Sequence, residues 1–257
     1  MNSFHDLSTP AGPLVTVSHL GVTFDDISGD LEAIDDLSFT LGANEFLCVL
    51  GPSGSGKSTL LRVVSGLLEP TAGTVAFRDH DRLPRVGLVF QQANLMPWRT
   101  AIGNIALPLE MSGMPETEIR QKSRSMIELV GLEEFAHSYP DDLSGGMAQR
   151  VAIARALIQQ PDILLLDEPF GALDALTRER MGGELLRIWQ TTHTAVIMVT
   201  HSIPEALLLS DRVLVLSARP GRILLDMAVS LPRPRSEEIR YSPEFLELER
   251  RLRKTIQ

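Results

Sequence analysis

The sequence predicts an α/β fold: a parallel sheet, a small antiparallel β layer ahead of it in the chain, and a block of helices inserted between strands. Three observations carry that reading. An apolar stretch, Phe46-Leu47-Cys48-Val49-Leu50, leads into Gly51-Pro52-Ser53-Gly54-Ser55-Gly56-Lys57-Ser58-Thr59 and then into Leu60-Leu61-Arg62-Val63-Val64. A second unbroken apolar run, Ile163 to Leu166, ends at Asp167-Glu168, the pattern of a strand buried on both faces of a parallel sheet. Between Thr100 and about Gln159 the signals are helical instead.

Residues 46–64 hold a strand, a glycine-rich turn and a helix start in the order that a phosphate-binding loop requires. Gly51, Gly54 and Gly56 let the backbone wrap closely, so successive N–H groups point at phosphate oxygens. The helix beginning near Lys57 adds the positive end of its dipole. Lys57 is then placed to reach the β- and γ-phosphates of a nucleotide, and the Ser58 hydroxyl to ligate Mg²⁺. A Gly/Ser-rich surface turn explains neither the eight-residue match nor the apolar strand in front of it.

Composition sets the bounds. A chain of 257 residues with 44% hydrophobic content supports one large domain or two modest ones, with a sizeable core. No uncharged apolar run approaches the ~20 residues that span a bilayer. Residues 1–13 are short, polar and without the apolar core of a leader, so a protein that stays where it is made is expected. The single Cys48 excludes an internal disulfide, fits a reducing compartment and reads as buried filler. A net charge of −9 gives no broad attraction to nucleic acid.

In chain order, a flexible tail over 1–13 gives way to short alternating strands at Leu14–Val17 and Val22–Phe24. After a polar loop comes a third, Leu37–Leu41. Phe24 precedes the phosphate loop and reads either as core or as a platform for the adenine ring. Beyond the loop, Glu69–Gly73 is a turn into Thr74–Phe77, and Val86–Phe90 is a strand ending at Gln91-Gln92. Pro115 with Glu116 and Glu118 starts a helix whose stripe is Ile119, Met126, Ile127 and Val130, closed by Gly131. Ser144 is a good N-cap for Gly145–Leu157, and Gly145 and Gly146 expose backbone N–H groups behind it. That is a second anion-binding helix start, and one nucleotide needs only one.

Asp167 and Glu168, at the C-terminal end of a buried strand, sit where ligands bind in such sheets. Asp167 is placed to hold Mg²⁺ and Glu168 to polarise an attacking water. Gly171–Asp174 turns into a helix from Leu176 to about Gln190, and the strand Ala195–Thr200 ends at His201, placed to meet a γ-phosphate or a neighbouring side chain. The other histidines read as surface or structural. Val213–Leu216 and Ile223–Leu225 form a hairpin across Arg219-Pro220-Gly221. Pro232 and Pro234 precede a final amphipathic helix within 231–257, with Phe245, Leu248, Leu252 and Ile256 on one face, for its own domain or for a partner helix.

Taken together these residues resemble the nucleotide-binding subunit of an ATP-binding cassette (ABC) transporter, from about Val15 to Asp226. Gly51–Ser58 is similar to the family's Walker A loop, Gln91 to its Q-loop glutamine, and Leu143–Met147 to its signature helix start. Asp167 and Glu168 resemble the Walker B aspartate and catalytic glutamate, Asp174 the D-loop aspartate, and His201 the switch histidine; Phe24 falls at the adenine-stacking aromatic. Met147 stands where the signature usually has Gln, and Gly171 where the D-loop often has Ser. The resemblance implies a RecA-like P-loop NTPase core over 14–230 with an N-terminal antiparallel β layer and an inserted α-helical subdomain at about 92–160. It also implies ATP and Mg²⁺ as cofactors, with Gln91 sensing metal and γ-phosphate. The signature residues Ser144, Gly145 and Gly146 would close on the ATP of a second copy or a homologous cassette.

Phe90–Trp98, Phe170–Asp174 and Ser217–Ile223 look like the nitrate/sulfonate/taurine importer group. That implies two transmembrane permease subunits, a solute-binding protein, and a peripheral position on the cytoplasmic face of the membrane. Its solutes are nitrate, bicarbonate, sulfonates or small heterocycles. A non-transport ABC-type ATPase, a phosphate-loop kinase and a non-enzymatic scaffold are the rivals. Trp98, in Met96-Pro97-Trp98-Arg99, reads either as core under the helices or as a contact for the membrane partner.

Overall fold

The computed structural model describes residues 12–25, 29–78 and 84–256; most of the expected tail lies outside the described residues. The first strand corrects the sequence reading. Two stretches expected as separate strands form one, β1 (Val15–Phe24). His19 takes a left-handed backbone, φ 49°, and the register against the next strand slips between Val17, Leu20 and Val22. That irregularity lets Val15, Val17, Leu20 and Val22 all stay buried within one strand. β2 (Leu31–Leu41) likewise reaches back through the expected polar loop. Asp36 is left-handed too, at φ 50°, and His19 Nδ1 donates to its Oδ1 at 2.7 Å, so the two irregularities lock together. Phe24 is thereby paired with Leu31.

β3 (Phe46–Leu50) and α1 (Lys57–Val64) flank the glycine-rich loop. β4 (Ala72–Phe77) returns antiparallel to β1, giving a three-stranded layer ordered β2-β1-β4. β5 (Val86–Val89) is followed by α2 (Ala101–Met111), α3 (Glu116–Leu129) and α4 (Gly145–Leu157). Then come β6 (Ile163–Asp167), α5 (Ala175–Thr192), β7 (Ala195–Thr200), α6 (Ile203–Leu209), β8 (Arg212–Leu216) and β9 (Ile223–Ala228). The last helix is α7 (Pro243–Ile256).

The main sheet is ordered β5-β6-β7-β3-β8-β9, parallel except for β9, which forms the expected hairpin with β8. Strand alternation divides its side chains between two cores. Phe46, Cys48 and Leu50 belong to the core shared with helices α2 to α7, whereas Leu47 and Val49 belong to the core shared with α1 and the antiparallel layer. Cys48 is fully buried, and burial pushes its thiol well above the ordinary range. Leu50 pairs with Thr200, and Asp167 with Val199, so β3, β6 and β7 end at one edge.

The C-terminal segment is fastened to that core. Arg235, 8% exposed, donates to the carbonyls of Leu207, Ser210, Val229 and Leu231. Arg233 lies 4.4 Å over the Trp189 ring and pairs with Asp211 at 2.7 Å. The apolar stripe of α7 packs on its own chain, with Phe245 and Leu252 buried against the helical side of the sheet.

Candidate nucleotide site

Directly after β3, the loop from Gly51 folds back over its own helix. Gly54 and Gly56 both have positive φ, 79° and 82°. A Cβ on Gly56 would stand 2.8 Å from the carbonyl oxygen of Ala33, so glycine is required where the loop crosses β2. Lys57, only 6% exposed, donates from Nζ to the carbonyls of Gly51 at 3.0 Å and Pro52 at 2.9 Å. The lysine thus arches across the loop it closes. Burial lowers its pKa; the charges of Glu168 and Asp167 act the other way.

The carboxylates of β6 arrive at the same edge. Ser58 Oγ donates to Asp167 Oδ1 at 2.9 Å. Burial raises the Asp167 carboxyl despite that hydrogen bond, and the neighbouring Glu168 charge adds to the rise. Glu168 follows in a left-handed conformation, φ 44°, a position costly for a side chain and found where a site constrains the backbone. His201, one residue past β7, donates from Nδ1 to Glu168 Oε2 at 3.0 Å.

A cleft of about 240 Å³ opens over this group, lined among others by Phe24, Ser53, Gly54, Lys57, Ser58, Thr59 and Glu168. Leu31, Ala33 and Arg219 line it too, and sequence reasoning missed all three. Arg219 belongs to the β8–β9 turn, which is joined to β2 by Gly221 N donating to Ala33 O at 3.0 Å. Such long-range pairing brings it to the loop, where Arg219 Nε donates to Gly54 O at 3.4 Å.

The residues fit a nucleotide triphosphate with Mg²⁺. Positive-φ glycines leave open backbone, Lys57 supplies a cation, and the Ser58 hydroxyl and Asp167 carboxylate are hard oxygen donors within hydrogen-bonding distance of each other. Among the described residues no three His, Cys, Asp or Glu gather as a metal cage, so such an ion would lean on phosphate oxygens and water.

Other predicted residues stand apart. Gln91 is exposed after β5, and its Nε2 lies 2.9 Å from where a Cβ on Gly171 would be. A serine at 171 would displace only the far end of that side chain. Ser144 caps α4 by accepting from Met147 N at 3.3 Å and is exposed with Gly145, whereas Gly146 is buried against Thr177. None of the three lines the cleft. Asp174 caps α5, accepting from Thr177 N at 3.0 Å, and the Thr177 hydrogen bonds hold its carboxyl below the ordinary range.

Trp98 is not core: it is 72% exposed. Buried Asn104 holds its loop, accepting from Met96 N at 2.7 Å and donating to the carbonyls of Met96, Arg99 and Thr100. Arg155 of α4 donates to the carbonyls of Ala93 and Asn94, both at 2.8 Å. The loop after Gln91 is therefore fixed at both ends, with the indole outward.

Known proteins share this sequence and fold. Residues 34–171 match the family model described as ABC transporter. The chain is 43% identical to a taurine import ATP-binding protein of Rhizobium johnstonii, over 93% of this chain and 95% of that one. It is 45% identical to a nitrate import ATP-binding protein of Synechococcus elongatus, over 85% and 82% respectively. A bacterial ABC transporter cassette solved as a dimer superposes with a TM-score of 0.73 at 32% identity, over 85% of this chain and all of that one. With its RecA-like core, antiparallel layer and inserted helices, this chain belongs to the ABC transporter family.

Proposed function

We propose that this chain is the ATP-binding and ATP-hydrolysing subunit of an importer for a small solute, a nitrate-, sulfonate-, taurine- or bicarbonate-like anion or a small heterocycle. The observation that carries the reading is the meeting of Lys57, Ser58, Asp167, Glu168 and His201 at one sheet edge. The names of the relatives, for taurine and nitrate import, favour transport over a free cassette ATPase.

In this reading the loop N–H groups and Lys57 hold the β- and γ-phosphates, while Phe24 and Leu31 offer an apolar edge to the base. Ser58 and Asp167, with Gln91, would hold Mg²⁺, which supplies neutralisation of phosphate charge when bound. Glu168 polarises the attacking water, and His201 keeps that carboxylate oriented while facing the γ-phosphate. Ser144, Gly145, Gly146 and Asp174 are left for the ATP of a second cassette, because they lie outside the chain's own cleft. The chain itself would sit peripherally on the membrane's cytoplasmic face, with two transmembrane permease subunits and a solute-binding protein completing the assembly. No described helix is long and apolar enough to cross a membrane.

Mixing purified Ser144→Arg and Lys57→Ala proteins tests the paired arrangement, since one composite site keeps both good halves. Partial recovery of ATPase activity is expected, together with a multispanning subunit co-purifying from detergent-solubilised membranes. No recovery and no such subunit would return the chain to the free ATPases.

A further inference from the structure

Thr200 ends β7, His201 follows, and Ser202 caps α6, so the histidine sits between two residues with their own anchors. Ser202 and Glu205 have the S-x-x-E spacing of a capping box, in which the glutamate reaches back to the N-cap N–H. Here a hydroxyl is interposed. Ser202 N donates to Thr200 Oγ1 at 3.0 Å, and that hydroxyl donates to Glu205 Oε2 at 2.6 Å. Ser202 Oγ accepts from Glu205 N at 3.4 Å, which completes the cap.

The detour leaves the second carboxylate oxygen free to face α5. Glu205 Oε1 lies 3.6 Å from Arg178 Nε, and Arg178 Nη2 donates to Leu173 O at 3.0 Å, one residue before Asp174. The Leu173 side chain in turn packs 3.1 Å from where a Cβ on Gly145 would stand. One carboxylate therefore joins the turn that carries His201 to the loop on which the α4 start rests.

A plain serine cap would serve so short a helix without burying a charge. Burial raises the Glu205 carboxyl; the Thr200 hydrogen bond and the Arg178 and His201 charges oppose that rise, and Glu168 adds to it. Such a group costs desolvation unless its partners compensate. We propose that Glu205 is a positioning residue for hydrolysis: through Thr200 it fixes His201 against Glu168, and through Arg178 it ties that pair to loop 170–174. The inference rests on the ATPase function proposed above and deepens it. Glu205 does not line the nucleotide cleft, so its effect runs through His201.

Steady-state hydrolysis by the purified full-length chain tests this. Glu205→Ala should lower kcat by roughly 10-fold to 10²-fold, the scale of a small misplacement near the chemistry. KM should stay within about 3-fold, because no ground-state contact is removed. Glu205→Gln keeps an oxygen for the Thr200 hydroxyl and should recover most of the rate. In a His201→Ala background, Glu205→Ala should cost less than about 2-fold more, as expected of residues acting as a unit. A full additional loss in that background, or a Glu205→Ala enzyme within about 2-fold of the parent, overturns the proposal. Should Glu205→Ala not fold, Thr200→Val decides by the same thresholds, since it keeps the shape and removes the hydroxyl. A parent chain without ATPase activity overturns the function and this inference together; an active parent with an unchanged Glu205→Ala overturns the inference alone.

Discussion

His201 Nδ1 sits 3.0 Å from Glu168 Oε2, across the two strand ends that β6 and β7 bring side by side. The contact joins two residues that each lie one position beyond a buried strand. Glu168 itself has a left-handed backbone, its N–H donating to Val199 O at 3.0 Å. His201→Ala should lower kcat by roughly 10²-fold, within the range for positioned proton-transfer groups. Nucleotide affinity, followed with a fluorescent ATP analogue, should stay close to that of the parent. A normal turnover rate in that variant would separate the histidine from the chemistry.

Arg235 makes a structural prediction of equal directness. Its buried guanidinium supplies donors to four carbonyls at the end of α6 and along 229–231. Truncation leaves those acceptors without partners, and Arg235→Ala should cost about 2–4 kcal/mol. Thermal unfolding should then come roughly 5–15 °C lower. Arg235→Lys should recover only part of this, because an ammonium group cannot fork between several carbonyls. Melting curves for the three proteins check both statements.

Much of the fold was legible because its signals are local. Strand, loop and helix over 46–64, and strand and carboxylates over 163–168, lie in single short windows of sequence. The apolar runs of β3, β6 and β7 could be read as buried strands for the same reason. What escaped depends on distant pairing. Neither the locked irregularities at His19 and Asp36 nor the placement of Arg219 beside Gly54 has a signature within a few residues. Helix α6 has only seven residues, too few for a periodic pattern, although Ser202 and Glu205 mark its start. Trp98 was open between core and surface; the buried amide of Asn104, which decides it, makes contacts that composition does not report.

That exposed indole yields the next prediction. Trp98 contributes little burial, so Trp98→Ala should leave the free subunit's melting temperature within a few degrees and its basal hydrolysis intact. In the assembled complex it should weaken subunit association or solute uptake, since a large rigid aromatic is a frequent interface anchor. Uptake by the complex in vesicles, compared with ATPase of the free subunit, measures both. Normal transport by the variant would leave the residue without a role in coupling.

The central claim is that the carboxylate of Glu168 drives ATP hydrolysis at the cleft above Lys57. ATP turnover and ATP binding measured side by side, for the parent, Glu168→Gln and Lys57→Ala, test it most directly. Glu168→Gln keeps the shape of the side chain and removes its charge, so binding should persist while turnover falls by roughly 10²-fold or more. Lys57→Ala removes the cation that arches over the loop and should weaken binding itself. A Glu168→Gln protein that hydrolyses ATP at the parent rate would contradict the account.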